Sequence, residues 1–339
     1  MADDEATSSR PRAPIFLLAD SMPLFASTVF ADVAGLPSRP ATVAGGSRCW
    51  WDAVVGGAVD AHSRSAPRKT ACYLGASNGD EPAFYAMFVS AAAKIGFPEG
   101  CCRHVRAAAT ADDVRCIAEE ASLIVLAGGD PLVGWRAFQA AGVDVALRAA
   151  HARGDAILVG ISAGAEHLGT HGYVEPIDER LLLVAERQRQ VAAGAPIEPL
   201  AYPTLGLVPY FFAPHEEDTD WARSSAAFAD LAPPATASSS GGQHVQHDQH
   251  NQHDQHASSS SSKQRGGPST PLALLGLPFQ SGLAVLGDGT VSPFGKKDIV
   301  VLGHRGWREG PCGVRESLRP GRWRLHVDDA GGIDFVSMQ

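Results

Sequence analysis

The chain has no run approaching the roughly 20 consecutive apolar residues that span a bilayer, so no membrane association is expected. Positive charge is scarce: 28 Lys and Arg stand against 37 Asp and Glu, for a formal net charge of −9. No basic stripe is visible, and neutralising phosphates needs clustered cations, so no nucleic-acid partner is expected. Cysteine is sparse too. Cys49, Cys72, Cys101, Cys102, Cys116 and Cys312 show no C-x-x-C spacing, which excludes a zinc knuckle or a thioredoxin-type pair. Reduced, mostly buried thiols in a cytoplasmic protein are expected instead. The opening Met1-Ala2-Asp3-Asp4-Glu5 lacks both the basic start and the apolar stretch of a secretory signal, and a transit peptide avoids acids.

What is present is an alternation. Short apolar segments at 15–19, 69–74, 123–127, 157–159 and 205–208 read as strands buried on both faces of a parallel sheet. Helical spacing lies between them. Residues 81–95 place Phe84, Met87, Phe88 and Ala91 on one stripe, and 111–121 opens with acids. A third helix, 131–141, follows Asp130 as N-cap with Pro131 at the first position. This pattern predicts an α/β fold with a doubly wound, mostly parallel sheet. Residues 38–65, with Trp50 and Trp51, read as a long connection that packs locally. Toward the C-terminus, 282–285 and 291–294 flank Gly287-Asp288-Gly289 as a hairpin. Residues 299–302 and 323–327 add short strands, all expected to extend one edge of the same domain.

Three segments divide the chain. Residues 1–13 are expected to be disordered, and 14–232 with 271–335 to form a single α/β hydrolase-type domain. Between them, 233–270 is a Ser/His-rich insertion expected to be disordered. It carries His244, His247, His250, His253 and His256, one every third residue. Imidazoles at that density could bind zinc, nickel or copper. The composition favours a low-complexity surface insertion, and no metal site is assigned.

The segment that carries chemistry is Gly160-Ile161-Ser162-Ala163-Gly164, directly after the strand at 157–159. It matches G-x-S-x-G in the strand–turn–helix context of a nucleophile elbow. Ser162 is the expected nucleophile. The backbone N–H of Ala163, at the following helix N-terminus, is an oxyanion donor. Asp20, the stretch Gly75 to Asp80, and Gly128-Gly129-Asp130 follow the other predicted strands. In an open α/β sheet those ends share the edge where ligands bind. Asn78 and Asp130 are therefore substrate-binding candidates, and bare backbone at Gly128-Gly129 offers a second oxyanion amide. A serine needs a base. His215, just beyond an apolar segment, is the best of the 13 histidines. His167 lies about one helical turn past Ser162, and with His171 it reads as a polar or capping residue. Glu175 and Asp178 lie between Ser162 and His215, and either could orient the imidazole.

Together these residues resemble peptidase family S51, which includes dipeptidase E and the cyanophycinases and has a fold similar to class I glutamine amidotransferases. Four pieces carry the resemblance in order over about residues 14–230. They are Ala76-Ser77-Asn78, Gly128-Gly129-Asp130, Gly160 to Ala165, and Gly206-Leu207-Val208 leading to Pro214-His215. The resemblance implies Ser162 as nucleophile, His215 as general base, and Gly129 and Ala163 as oxyanion amides. It implies Glu175 as the acid, with Asp178 second. The chain departs from the family pattern in three places: Asp130 stands where Asn is common, Glu216 and Glu217 follow the Pro-His pair in place of an aromatic, and the spacing to the acid is not a clean match. Ser162 at the elbow, where the amidotransferases carry cysteine, disfavours glutaminase chemistry. The resemblance also implies a small peptide or isopeptide substrate with an acidic residue, and no cofactor. Arg136 reads as solvent-facing and is not assigned to that residue. The competing classes are a non-catalytic binding protein on the same fold and an α/β-hydrolase-type esterase. A monomer and a homodimer are both compatible with the sequence.

Overall fold

The structure is a computed structural model that describes residues 12–25, 49–62, 70–173, 201–231, 273–304, 316–327 and 333–338. Five parallel strands form its centre: β1 (Ile15–Leu18), β2 (Thr70–Leu74), β3 (Cys102–Val105), β4 (Ala121–Leu126) and β5 (Ile157–Ile161). They lie in the order β1-β5-β4-β2-β3. Four antiparallel strands continue the sheet beyond β1: β10 (Ser281–Val285), β11 (Val291–Gly295), β14 (Arg322–Val327) and β15 (Ile333–Met338). The fold is thus α/β with a large, mostly parallel sheet and C-terminal antiparallel strands, as the alternation predicts.

Each parallel strand is buried on both faces because its side chains alternate between two cores. Ile15 and Leu17 enter one core, and Phe16 and Leu18 the other. The first core is covered by α4 (Ala111–Glu119), α5 (Pro131–Ala141), α6 (Val143–Arg153) and α7 (Ala163–Leu168). The second is covered by α3 (Pro82–Lys94) and by a helical segment made of a π turn, Trp51–Val55, and α2 (Gly56–His62). Trp51 anchors that segment, its indole N–H donating to Ala91 O at 2.8 Å. The long, locally packed connection expected at 38–65 is helical over 51–62, within the part the structure describes. A single turn, α1 (Met22–Phe25), follows β1.

A second sheet shares the first core. It has the order β13-β12-β9-β8, from β8 (Tyr210–Pro214), β9 (Ala273–Leu277), β12 (Ile299–His304) and β13 (Glu316–Leu318). Its outer face packs under α8 (Ala222–Leu231) and the antiparallel pair β6 (His171–Tyr173) and β7 (Ala201–Pro203). Two expectations are corrected here. The C-terminal strands do not all extend one edge, since 299–304 belongs to the second sheet. Residues 205–208 are not a strand either. Gly206 adopts φ +61°, and the amides of Leu205 and Leu207 bond to His167 O and Leu168 O at the end of α7. The strand begins at Tyr210, after Pro209. A third correction concerns α3, where Phe84 and Met87 are exposed and burial begins one turn further on, at Phe88.

His167, in α7, is fully buried between Trp135 and Phe138. Its Nε2 lies 2.7 Å from Pro131 O, so the neutral ring carries its proton there and donates. Burial holds its pKa down at about 4, with the Pro131 hydrogen bond and the Asp130 carboxylate opposing. The unfolded chain binds this proton near pH 6.5 and the folded chain resists it to about 4. Stability is therefore fully present above pH 6.5 and falls as the pH drops from 6.5 toward 4, by about 3 kcal/mol. Urea unfolding at pH 7.5 and pH 4.5 checks this: the loss shrinks in His167→Phe, which cannot titrate.

Candidate active site

Ser162, between β5 and α7, has a strained backbone, at φ 50°, ψ −113°. A non-glycine residue in that region costs about 1–3 kcal/mol and persists only where its surroundings over-determine it. The surroundings are specific. The Ser162 N–H donates to Leu18 O at 2.8 Å, and its carbonyl accepts from Ala165 N at 2.8 Å. The flanking glycines are required by close packing. A Cβ on Gly160 would come within 2.6 Å of the Gly164 carbonyl carbon. One on Gly164 would come within 2.8 Å of Leu126 Cβ on the neighbouring strand. Turn, strand and helix thus lock together without side chains between them.

The structure brings Ser162 and His215 together. The Ser162 Oγ lies 2.8 Å from His215 Nε2, within the reach of a nucleophile and its base. The two residues come from different sheets: Ser162 ends β5 in the central sheet, and His215 follows β8 in the second. His215 also has a strained backbone, φ 40°. Its N–H donates to Leu277 O at 2.7 Å.

Gly128 lies against Ser162, and Gly129 follows it. A Cβ on Gly128 would sit 3.2 Å from Ser162 Cβ. Gly129 has φ 128°, and its Cα approaches the Ser77 carbonyl so closely that no side chain fits. The amide of Asp130 then donates to Ser77 O at 2.8 Å, joining this loop to 76–78. Gly128 thus borders the serine from one side, and Ala163, the first residue of α7, follows it directly in the chain.

The side chains of Asn78 and Asp130 are engaged by the protein itself. Asn78 Nδ2 donates to the Tyr73 hydroxyl at 2.7 Å. Asp130 Oδ1 accepts from Val133 N at 2.9 Å and caps α5. Glu175 and Asp178 lie outside the described residues, as does the His-rich insertion. Among the described residues no carboxylate is hydrogen-bonded to the His215 ring, and no group of three His, Cys, Asp or Glu is placed to hold a metal ion. His171, in β6, is buried, which lowers its pKa.

Sequence reasoning missed the roles of the acids around His215. Glu216 is buried and caps α8, accepting from Arg223 N at 2.9 Å and pairing with the Arg223 guanidinium at 3.0 Å. Glu217 accepts from Phe279 N at 2.7 Å and from Lys297 Nζ at 2.9 Å. Burial acts to raise the Glu217 pKa, but the lysine and the backbone amides outweigh it and hold the pKa below the ordinary value. Asp20, noted only as a strand-end residue, accepts from Met22 N at 2.7 Å and Gln280 N at 2.6 Å. Tyr202 on β7 was not singled out. Its pKa is raised by burial and by the charges of Glu166 and Asp130, with Arg136 opposing.

No protein-family model matches the chain, and no curated protein is significantly similar to it. Among solved structures, a peptidase from an acI-B1 actinobacterium is similar over 96% of this chain and 97% of its own, with TM-score 0.53 and 13% identity. That likeness shows a shared fold. A protein provisionally named peptidase E, from Listeria monocytogenes EGD-e, is similar at TM-score 0.36 and 16% identity, over 62% of this chain and 82% of its own. Among the described residues, no helix is long and apolar enough to cross a membrane.

Proposed function

We propose that the chain is a serine-type peptidase or amidase of the S51 kind. The observation that carries this reading is the 2.8 Å approach of the Ser162 hydroxyl to His215 Nε2 at a strained strand-to-helix turn. In the proposed reaction, Ser162 Oγ attacks an amide carbonyl carbon while His215 takes the hydroxyl proton. The negative oxygen forms beside the amides of Gly129 and Ala163. A helix's first amides have no intrahelical partner, which suits the Ala163 N–H to this task. Each oxyanion donor contributes about 3 kcal/mol in enzymes of this type. The C–N bond then breaks as His215 protonates the leaving amine. Water, deprotonated by His215, releases the acyl group and restores the serine. Glu175, or Asp178 in its place, orients the imidazole. Asn78 and Asp130 border the substrate through their loops. The chemistry requires no cofactor or metal.

The proposed substrate is a small peptide or isopeptide carrying an acidic residue. The described cysteines are all free thiols, in keeping with action in the cytoplasm. A panel of dipeptides tests the substrate class. N-terminal Asp should be cleaved in preference to Leu or Lys, with a higher kcat/KM. Equal cleavage across the panel would remove the acidic preference from the reading.

A further inference from the structure

The serine and its base stand on separate sheets, so something must hold the sheets in register at the 2.8 Å contact. The connection between β9 and β10 is placed to do so. It has three residues, Pro278, Phe279 and Gln280, and is one of the short covalent steps between the sheet carrying His215 and the sheet carrying Ser162. On one side, His215 N–H donates to Leu277 O, the last residue of β9. On the other, Ala19 N–H donates to Ser281 O at 3.0 Å, and Leu18 O, one residue earlier, receives the Ser162 N–H. The link is therefore one residue from the base at one end and two hydrogen bonds from the nucleophile at the other.

Two carboxylates grip the middle of this link from opposite sides. Glu217, two residues past His215, accepts the Phe279 N–H at 2.7 Å. Asp20, two residues past Leu18, accepts the Gln280 N–H at 2.6 Å. Each is itself held. Lys297 Nζ donates to Glu217 at 2.9 Å, and Asp20 uses its other oxygen on Met22 N at 2.7 Å. Gln280 sits at φ 64°, a conformation an unrestrained glutamine leaves readily. Ser162, His215 and Gln280 thus form a chain of three strained non-glycine residues running through one set of hydrogen bonds. A turn that needed only to connect two strands would require neither acid. Consecutive amides bound by one acid from the segment after His215 and one from the end of β1, whose Leu18 holds Ser162, make a clamp.

We propose that Asp20 and Glu217 are positioning residues whose joint grip on the Phe279 and Gln280 amides sets the distance between Ser162 Oγ and His215 Nε2. This rests on the serine-hydrolase reading of that pair. The clamp touches no substrate atom. Its loss should slow the chemical step and leave substrate affinity alone.

The experiment measures inactivation by a fluorophosphonate, separating the maximal rate from the half-saturating concentration, with a thermal melt on every variant. Asp20→Ala and Glu217→Met should each lower the maximal rate by about 10- to 100-fold, the scale of a misplaced reacting group, at unchanged half-saturation. Glu217→Gln, whose carboxamide oxygen still accepts the Phe279 amide, should stay within about threefold of wild type. The Gln and Met side chains are alike in length, so their comparison isolates the acceptor even if Asp20→Ala fails to fold. The double variant Asp20→Ala/Glu217→Met should be little worse than the poorer single, since one clamp is broken either way. Folded Glu217→Met reacting at the wild-type rate would overturn the clamp and leave the serine reading intact. Wild type that does not react at all would overturn both.

Discussion

Ser162→Ala is expected to lower amide hydrolysis by about 10⁴-fold or more while leaving the unfolding midpoint close to that of wild type. The two halves of this expectation have separate causes. Activity falls because no other nucleophile replaces the hydroxyl. Stability holds because the elbow is built from backbone: the Ser162 N–H to Leu18 O bond, the Ala165 N–H to Ser162 O bond, and the Gly160–Gly164 contact all survive the substitution. What is lost from the fold is one hydrogen bond to an exposed imidazole. His215→Ala should fall by a comparable amount. The double variant should be no worse than either single, because nucleophile and base act as a unit. Steady-state hydrolysis of an Asp-containing dipeptide, with urea unfolding in parallel, reads both halves. Additive losses would mean the two residues act independently.

Gly164→Ala is expected to cost about 3 kcal/mol or more of stability, and activity with it. The new Cβ would be driven into the Leu126 backbone, with Leu126 C 2.9 Å and Leu126 Cβ 2.8 Å away. Leu126 is at the centre of the parallel sheet and fully buried, so it cannot give way. The helix must lift instead, and Ser162 moves with it. Gly79→Ala makes a useful contrast. Gly79 has φ +74° with nothing within 4 Å of its would-be Cβ, so only backbone strain of about 1 kcal/mol is expected. Urea unfolding of both variants separates a steric cost from a conformational one. Equal losses would show that close packing of the elbow is not what requires Gly164.

The elements that could be read from the sequence are those with local signals. α5 begins and ends as predicted because Asp130 caps it and Pro131 starts it. β1, β4 and β5 stand out because a strand buried on both faces must be apolar throughout. The helical segment from Trp51 was hidden by Gly56-Gly57, which read as loop, although Trp51, Val54, Val55, Ala58 and Val59 are all buried. Residues 205–208 misled because an apolar run next to glycine can pack on a helix end as well as in a sheet. On α3, spacing identified the stripe but not where the helix overhangs its sheet, so Phe84 and Met87 proved exposed. The site followed the same division. Ser162 and the glycines around it form a local motif. The meeting of Ser162 with His215 depends on how two sheets stack, and the parts played by Asp20 and Glu217 depend on a turn more than 60 residues from either in sequence. No periodicity encodes those contacts.

The central claim is an activated serine at residue 162, and the most direct measurement is to treat the folded protein with a fluorophosphonate and locate the adduct by peptide mass spectrometry. The account predicts one adduct per chain, on Ser162, absent in Ser162→Ala and strongly reduced in His215→Ala. Folded wild-type protein with no adduct, or with its adduct on another serine, would contradict it.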